Sequence, residues 1–396
     1  MRDNISTLKK DECLGCRSCE QICPKKCISI FPDKEGFLYP TVDENICIKC
    51  ELCTKHCPAI QKIEGKEPEA FLAVRLKDSS AIMDSSSGGI FAGLAEYIIE
   101  NDGVVFGCAF NKNLEALHIK VDNCKDLQAL KKSKYVTSNT LHTYSEVAQI
   151  IKNEPKKLIL YTGTPCQIHG LYSFLGKKTE NLFTADIICH GVPSQKLFDK
   201  YLEWLGKKQS GKILYYGFRD KDVAGWACAG KTKTKTKTKI INGATDPYYS
   251  SFMRGETYRQ SCYKCPFANI KYRPADITMG DYWGIEFAHP KFYSKKGVSC
   301  CLINTEKGKD FFQKIAEKFD YLETSDEKIT LLNGNLVHPT AKPAVRESIY
   351  DGIDEIPAEK FISRLYAPMY KRIVRYFISI IPHSVKTFLK RFKYGF

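Results

Sequence analysis

The sequence predicts an α/β protein, α+β overall, in which a small cysteine-rich domain precedes a larger mixed α/β domain and a helical, basic C-terminal tail. Two matched cysteine runs lie within the first 60 residues. Strand-like apolar segments then alternate with helix-like segments, a pattern typical of a parallel sheet. After Glu359 the chain has no acidic residue while basic residues recur, which marks a separate tail.

The N-terminal domain is predicted from cysteine spacing. A C-x2-C-x2-C-x3-C-P run spans residues 13–24 and is repeated 34 residues later, at 47–58. This spacing holds iron–sulfur cubanes, and the fourth cysteine of each run ligates the other cluster. Two matched triplets, each followed by Cys-Pro, fit two zinc sites poorly, because zinc ligands typically occur as C-x2–4-C pairs. We expect one [4Fe–4S] cluster on Cys13, Cys16, Cys19 and Cys57, and a second on Cys47, Cys50, Cys53 and Cys23. Cys27 lies in an apolar run and is expected in the core.

The next segment contains a small-residue loop before a helix. A short strand at 71–74 precedes it, and the loop itself consists of Ser87, Gly88 and Gly89. Backbone N–H groups at such a helix N-terminus can bind a phosphate, although an ordinary flexible cap fits the pattern equally. A basic patch beside Tyr135 follows, which fits a solvated face or a pyrophosphate clamp. Its lysines are Lys131, Lys132 and Lys134.

The stretch at 157–175 predicts a strand, a tight turn and a helix. Thr164 fits the N-cap, Pro165 fits the first helical position, and Gln167 completes a capping box. Cys166 therefore lies in the first turn, where unpaired N–H groups and the helix dipole favour a thiolate and lower its pKa. Such a cysteine suits a metal ligand or a redox site. A cysteine that merely packs is the alternative.

A second strand–turn–helix unit follows at 182–205, and its turn contains Cys189 and His190. Ligands of parallel sheets bind outside the carboxyl ends of the strands, so Cys166 and Cys189 are expected at the same edge. His190 fits either an acid/base role or a hydrogen-bonded structural role.

A further cysteine pair lies in a later loop. Cys262-x2-Cys265 alone fits zinc, a redox pair or a cluster, and with Cys166 and Cys189 it completes a set of four.

Other segments have simpler interpretations. The alternating tract at 231–239 suits one strand of an exposed hairpin with solvated lysines. Asp281 and Trp283 lie in a turn, where they either line a pocket or build the turn itself. The cysteines expected to pack in the core are Cys108, Cys300 and Cys301.

Composition narrows the class of protein. The chain has 396 residues, enough for two or three domains, and 18 cysteines. No segment predicts a signal peptide, and no apolar run reaches the length of a membrane span. Many cysteines without secretion indicate metal ligation rather than disulfides, and a cytoplasmic location. The formal charge of +15 fits nucleic acid, a membrane surface or an acidic protein partner such as a small electron carrier.

The tail at 360–396 consists of two amphipathic pieces divided by Pro382. We expect it to lie on the anionic inner face of a membrane, with its apolar side chains in the lipid and its lysines outside. Packing as a helical pair on the protein's own body is the alternative.

Several motifs in a fixed order carry a family resemblance. In chain order they are SSSGGIF, KSKYV, TGTPCQIHGL, CHGVPS, FRDK with GW, a CxxC pair and DITMGDYWG. Over residues 71–320 the chain resembles the coenzyme F420 hydrogenase/dehydrogenase beta subunit family, in which a fused N-terminal two-cluster ferredoxin also occurs. Members bind FAD and an iron–sulfur cluster, and they pass electrons between a two-electron carrier and iron–sulfur chains.

The resemblance implies a flavin-binding catalytic domain. It implies a third [4Fe–4S] cluster on Cys166, Cys189, Cys262 and Cys265. It implies FAD contacts at Ser87, Gly88, Gly89, Lys134, Thr162, Gly163 and Gln167. The predicted domains are a ferredoxin-type domain at 1–65, the N-terminal and C-terminal regions of the beta subunit at 66–150 and 151–335, and the tail at 336–396.

The expected function is that of an iron–sulfur flavoprotein oxidoreductase. It would move electrons between an acidic, ferredoxin-like carrier and a small-molecule redox substrate through three clusters and FAD. Deazaflavin, nicotinamide and ferredoxin are the donor classes that fit. A non-catalytic electron-transfer subunit of a larger complex is the alternative. Nucleic acid is not an expected partner, because the ferredoxin repeat indicates electron transfer rather than a basic nucleic-acid-binding protein that carries structural clusters.

Overall fold

The computed structural model describes residues 3–61, 64–381 and 385. Its N-terminal domain contains two short helices, α1 (Ser18–Ile22) and α2 (Leu52–Lys55), and a hairpin of strands β1 (Ile28–Pro32) and β2 (Leu38–Val42). The strands pair antiparallel. Each helix carries the third cysteine of one cysteine run, so the two matched runs fold into two matched loop–helix units.

An eight-stranded mixed sheet forms the centre of the main domain. The remaining strands are β3 (Ala70–Leu76), β4 (Val104–Phe110), β5 (Ala116–Val121), β6 (Ile159–Gly163), β7 (Leu182–Ile187), β8 (Tyr215–Gly217), β9 (Ala229–Lys233), β10 (Thr238–Asn242), β11 (Ile277–Asp281), β12 (Ser299–Ile303) and β13 (Phe319–Glu323). The large sheet has the order β13-β3-β12-β11-β7-β6-β4-β5. Its central strands β4, β6, β7 and β11 are parallel, as the strand–helix succession predicts, and antiparallel strands flank them on both sides.

Helices cover both faces of this sheet. Along β6, Leu160 packs in one buried cluster with Leu94, while Tyr161 packs in another with Leu171, because neighbouring strand residues point to opposite faces. The remaining helices are α3 (Ser79–Met83), α4 (Ile90–Glu100), α5 (Cys124–Leu130), α6 (Thr143–Asn153), α7 (Pro165–Leu175), α8 (Gln195–Gln209), α9 (Lys221–Ala224), α10 (Pro247–Met253), α11 (Ile285–Ala288), α12 (Glu306–Ile315), α13 (Asp326–Thr330), α14 (Ala358–Ser363) and α15 (Met369–Ile380). A short 3-10 helix spans Gln260–Lys264.

The alternating lysine–threonine tract forms both strands of a hairpin and its turn, which corrects the prediction of a single strand. It runs from the end of β9 into β10, with Lys233 opposite Thr238. The N–H of Lys237 donates to Thr234 Oγ1 at 3.0 Å and helps to close the turn. Period-two alternation continues through this turn, so the sequence pattern alone does not locate it.

The N-terminal domain packs directly on the main domain. Phe37 is 1% exposed, and its ring centroid lies 5.6 Å from that of Tyr350. Arg346 is fully buried and donates to both carboxylate oxygens of Glu35, at 3.1 and 2.5 Å. The Thr140 hydroxyl donates to the Cys16 carbonyl at 3.1 Å. These contacts hold the cysteine runs against the main domain.

The tail begins with two helices that differ in how they pack. Phe361 and Ile362 of α14 are buried in the core that also contains α8 residues. In α15, by contrast, the apolar side chains are 50–71% exposed; they are Met369, Tyr370, Ile373, Val374, Tyr376, Phe377 and Ile378. Most of the second predicted amphipathic piece, at 382–384 and 386–396, lies outside the described residues. In the described part of the chain, no helix has both the length and the apolar character needed to cross a bilayer.

Candidate electron-transfer site

Two small cavities in the N-terminal domain are lined by the two predicted cysteine sets. The first is lined by Cys13, Cys16, Cys19 and Cys57, and the second by Cys23, Cys47, Cys50 and Cys53. The fourth cysteine of each run therefore lines the cavity of the other run, as the spacing predicts. Burial, reinforced by the neighbouring thiols, raises the pKa of Cys16 and of Cys19. Crowded, buried thiols of this kind fit iron, whose charge stabilises their deprotonated forms.

The second cavity contains a fifth thiol that the spacing did not predict. Cys27 is buried, as expected for a core residue, but it also lines this cavity with its Sγ 3.4 Å from that of Cys23. Burial, followed by the hydrogen bond with Cys23, raises the pKa of Cys27 to about 12. The edge of this cavity reaches the surface, where Cys50 is exposed.

A larger cavity, of about 310 Å³, lies at the carboxyl ends of the parallel strands. Gly163 at the end of β6, Ile187 at the end of β7 and Asp281 at the end of β11 all line it. This is the edge at which α/β sheets bind ligands, and the volume lies in the range of small-molecule sites. Asp281 is the one carboxylate of the lining among the described residues, and two lining lysines pair with carboxylates behind it, Lys131 with Glu96 at 3.3 Å and Lys132 with Asp220 at 3.8 Å. The lining cations are Lys131, Lys132, Lys134, Arg219 and Arg259.

The four cysteines implied for a third cluster come together beside this cavity. Cys166 and Cys189 line it directly. Burial, followed by the thiols of Cys262, Cys166 and Cys265, raises the pKa of Cys189, so the four groups interact electrostatically. Cys262 lies within the short 3-10 helix, and Cys265 follows its last residue. In the described ranges, no group of three or more His, Cys, Asp or Glu side chains is arranged to hold a single metal ion.

Helix α7 begins as predicted, and the first-turn N–H groups of Cys166 and Gln167 act to lower the pKa of the Cys166 thiol, but burial outweighs them. Pro165 is the first helical residue, and the Thr164 N–H donates to Gln167 Oε1 at 3.0 Å, completing the capping box. Burial nevertheless raises the pKa of Cys166, and the Thr164 hydroxyl and Arg259 offset this only in part. The predicted decrease was therefore wrong, because desolvation of a buried thiolate outweighs the helix dipole here.

The helix that carries Cys166 lies against the first N-terminal cavity. A Cβ added at Gly170 of α7 would lie 2.8 Å from Cys16 Cβ and 3.1 Å from Cys16 Sγ. The Cys16 and Cys166 thiols also interact electrostatically. The absence of a side chain at Gly170 therefore allows one cysteine set to approach the other closely.

Six of the seven residues implied as FAD contacts line the large cavity; they are Ser87, Gly89, Lys134, Thr162, Gly163 and Gln167. Gly88 is not part of this lining, and its backbone is engaged within the protein. The Gly88 N–H donates to Ser299 Oγ at 2.9 Å, and its carbonyl accepts from the Leu76 N–H. A Cβ at Gly88 would lie 2.2 Å from the Val74 carbonyl oxygen. Gly88 is thus required for packing against the sheet rather than for access to a ligand.

Four of the six lining residues also make side-chain hydrogen bonds within the protein, and one of them is Ser87, whose hydroxyl donates to the Val298 carbonyl at 2.9 Å. The Lys134 ammonium donates to three backbone carbonyls within 129–132, at 2.7–3.3 Å, and burial lowers the pKa of Lys134 to about 8. The Thr162 hydroxyl donates to a carbonyl of β4, and the Gln167 amide donates to Ser138. These side chains shape the cavity wall, and their donors are largely satisfied by the protein itself.

Sequence reasoning missed a buried ion pair at the cavity. Arg219 donates to both carboxylate oxygens of Asp281, at 2.8 and 3.2 Å, and the Trp226 indole N–H donates to the same carboxylate at 2.5 Å. Arg219 also donates to the Ser86 carbonyl at 3.2 Å and lies over the ring of Trp283. The FRDK and GW motifs contain these residue types, but only the fold brings them to the end of β11.

Two further groups at the cavity have pKa values lowered by burial. Burial lowers the pKa of Lys221 to about 7, and its ammonium donates to the carbonyls of Ile82 and Ser87. Burial lowers the pKa of His118 to about 4, so its imidazole is neutral at pH 7. His118 Nε2 donates to the Thr162 carbonyl, which leaves Nδ1 as a buried acceptor without a hydrogen-bond partner in the described structure. A basic lining and an unused acceptor fit a ligand with anionic groups and a hydrogen-bond donor, as FAD has.

Other predicted residues divide between cavity and core. His190 lines the cavity, and its ring stacks on Phe252. Cys108, expected in the core, lines the cavity as well, and so does Cys228. The adjacent cysteines of β12, Cys300 and Cys301, are fully buried, as predicted.

The fold and these cysteine sets define an iron–sulfur electron-transfer protein. Residues 156–329 match the family model for the C-terminal part of the coenzyme F420 hydrogenase/dehydrogenase beta subunit, and residues 12–60 match the 4Fe-4S dicluster domain. The chain is therefore similar to the beta subunits of that oxidoreductase family over residues 156–329 and to a dicluster domain at its N-terminus, which confirms the predicted resemblance.

A solved structure is also similar to this chain. It is described as a xenon derivative of the F420-reducing [NiFe] hydrogenase complex from Methanosarcina barkeri, and it matches with 15% sequence identity and a TM-score of 0.46. The match covers 77% of this chain and 93% of that chain. Comparison with curated proteins found no significant match.

Proposed function

We propose that this chain is an iron–sulfur flavoprotein oxidoreductase. It moves electrons between an acidic, ferredoxin-like carrier and a two-electron substrate, using three [4Fe–4S] clusters and FAD. When bound, the clusters exchange single electrons and FAD couples them to a two-electron reaction.

The observation that carries the proposal is the meeting of two residue sets at one cavity. Cys166, Cys189, Cys262 and Cys265 come from three separate segments, and they lie beside the cavity lined by six of the residues implied as FAD contacts. The same cysteine set adjoins the first N-terminal cavity across Gly170. Neighbouring sets of candidate cysteine ligands therefore lead from the N-terminal domain to the large cavity.

Within the large cavity, the protein's own residues bind and orient. The lysines and arginines of the lining attract an anionic ligand. The Asp281 carboxylate accepts from Arg219 and holds it in place, and Arg219 also donates to the Ser86 carbonyl. Neutral His118 offers its Nδ1 as an acceptor for a ligand N–H or O–H. His190 supplies an imidazole beside the same space.

The second N-terminal cavity is the proposed entry point for electrons from the carrier. Its lining contains the exposed Lys25 and Cys50, and Lys26 and Lys49 are exposed next to lining residues in the chain. Asp3 and Glu51 also line the cavity, and Lys49 pairs with Asp3 at 3.9 Å, so the lysines are partly balanced by carboxylates. Exposed lysines steer an acidic partner and fix its orientation. Ile48, which is 56% exposed, gives the edge of this cavity an apolar contact.

The tail is proposed to bind an anionic membrane surface. Helix α15 exposes apolar side chains that the body of the protein does not cover, and it carries Lys371, Arg372 and Arg375 without an acidic residue. An amphipathic helix with this charge binds at an anionic lipid interface rather than across a bilayer. The alternative of packing on the protein's own body fits α14 but not the described part of α15.

The experiment that tests the third cluster is an iron and flavin count after anaerobic purification. Three cubanes give about 12 iron atoms per chain, and the dicluster domain alone gives about 8. The variant Cys262→Ser with Cys265→Ser should lose about four irons and keep the iron of the N-terminal domain. It should also block electron transfer from the N-terminal domain to FAD, while FAD still accepts hydride directly.

The matched control is Cys300→Ala with Cys301→Ala, which also removes two adjacent thiols but from the buried strand β12. Its iron content should equal that of the wild type. Wild-type protein that holds only about 8 irons after anaerobic reconstitution would rule out the third cluster. Full iron without FAD, even after FAD is added, would instead favour the non-catalytic electron-transfer subunit.

A further inference from the structure

One buried arginine of the main domain reaches into the N-terminal domain and touches a cysteine of the first cavity. Arg259 is 2% exposed and immediately precedes the 3-10 helix that carries Cys262. Its Nη2 donates to Cys13 Sγ at 3.4 Å, and its Nε donates to the Cys13 carbonyl at 2.8 Å. The guanidinium therefore contacts both the backbone and the sulfur of one cysteine in the first set.

In the described structure, the surroundings of Arg259 supply no carboxylate to neutralise it. Its remaining hydrogen bond from Nη2 goes to the Leu38 carbonyl at 2.9 Å, and its face lies 4.0 Å from the ring centroid of Tyr39. Among the described residues, its Nη1 is buried without a hydrogen-bond partner. A Cβ added at Gly15, in the loop between Cys13 and Cys16, would lie 3.0 Å from this Nη1. The unused donor thus points at the loop that surrounds the first cavity.

The second cavity has no comparable group among the residues that the structure describes. Its lining contains Lys25, which is exposed to solvent, and no buried arginine. A charge in water is screened, whereas a buried charge at contact distance acts through a low effective dielectric constant. The two N-terminal sets therefore differ in their electrostatic surroundings even though their cysteine spacings match.

We infer that Arg259 raises the reduction potential of the first N-terminal cluster above that of the second. Reduction adds one negative charge beside the guanidinium, so the reduced form is stabilised by the buried cation and by its N–H···S hydrogen bond. An electron that enters at the exposed second cluster then moves inward to the first. Each such transfer oxidises the second cluster by one electron and reduces the first by one, with no atom or proton transferred.

The inference goes beyond the proposed function, because it needs only the dicluster domain. In this inference Arg259 acts as a tuning residue of the first cluster, in addition to its place in the lining of the large cavity. The test is an electron paramagnetic resonance redox titration of the full chain carrying Cys262→Ser and Cys265→Ser. In that background the result does not depend on a third cluster or on FAD.

In this background, Arg259→Gln removes the charge while keeping a polar side chain. One of the two N-terminal reduction steps should fall by about 59 mV, a tenfold change in a one-electron equilibrium. The other step should stay at its original potential. Arg259→Lys keeps the charge but loses the planar guanidinium group, so the potential of that step should fall by less than about 59 mV.

The matched control is Arg346→Lys, because Arg346 is equally buried between the two domains but binds Glu35 and contacts no cysteine among its described partners. It should leave both steps unchanged. Two unchanged steps in Arg259→Gln, or equal falls in both, would overturn the inference. If Arg259→Gln does not retain its N-terminal iron, Arg259→Lys decides: a fall in one step supports the inference, and wild-type potentials overturn it.

Discussion

The Arg219–Asp281 pair predicts an unusually large cost for a small substitution. Asp281→Asn keeps the shape of the side chain but removes the charge that neutralises Arg219. Arg219 is 2% exposed and Asp281 is 16% exposed, so solvent screens the charge left by the lost partner only in part. Removing one member of a buried, hydrogen-bonded pair costs about 3–5 kcal/mol, because the remaining charge stays buried and uncompensated. We expect the free energy of unfolding to fall by this amount.

The structure offers a matched comparison on the same sheet. Arg75 and Asp320 form an ion pair across β3 and β13, and their side chains are 28% and 45% exposed. Solvent screening limits such a pair, so Asp320→Asn should cost about 0–1 kcal/mol. The two substitutions make the same chemical change and differ in burial.

The assay is urea unfolding under anaerobic conditions, followed by tryptophan fluorescence. The chain has three tryptophans, and two of them, Trp226 and Trp283, contact the pair directly. The double variant Arg219→Gln with Asp281→Asn should be less destabilised than the two single variants summed, because it leaves no unpaired charge. Equal costs for Asp281→Asn and Asp320→Asn, or a strictly additive double variant, would refute the reasoning.

Two further predictions concern partners. Reversing the charge of three lysines near the second cavity, with Lys25→Glu, Lys26→Glu and Lys49→Glu, should slow reduction by an acidic carrier and reduce the salt dependence of the rate, as measured by stopped-flow absorbance. Three reversals in the hairpin, Lys235→Glu, Lys237→Glu and Lys239→Glu, are the control and should change neither the rate nor its salt dependence. In flotation with anionic vesicles at low salt, the full chain should rise with the lipid. Two variants should stay in the dense fraction: a chain ending at Pro368, which keeps α14, and the full chain with Ile373→Ser and Phe377→Ser. A variant of the three lysines near the second cavity that is reduced at the wild-type rate, or a full chain that stays with the dense fraction, would dismiss the respective partner.

Local patterns in the sequence predicted much of the site. The cysteine runs predicted that the fourth cysteine of each run lines the cavity of the other run, because short, regular spacings and a following proline determine the shape of the loop. The capping box around Thr164 placed the start of α7 correctly, since its hydrogen bonds join residues three positions apart. The succession of strands and helices likewise predicted which strand ends share an edge.

What the sequence could not supply was contact between distant residues. Arg259 meets Cys13 across 246 positions, and Arg219 meets Asp281 across 62, so no spacing rule links them. The pKa of Cys166 depends on how deeply the thiol is buried, which a helix N-terminus does not reveal. Gly88 illustrates the same limit, because a glycine needed for close sheet packing and one needed for ligand approach look alike in sequence.

The packed interface of the N-terminal domain has a consequence for how the protein turns over. The cysteine runs are held against the main domain by the contacts of Phe37, Arg346 and Thr140. The N-terminal domain therefore does not move between one position for receiving electrons and another for releasing them. We expect the N-terminal domain to pass electrons from one fixed position rather than by moving between two positions. If the chain transfers electrons as proposed, we expect the rate of delivery to depend on carrier docking and on the approach of the two cysteine sets at Gly170, and not on the length of the segment at 60–69.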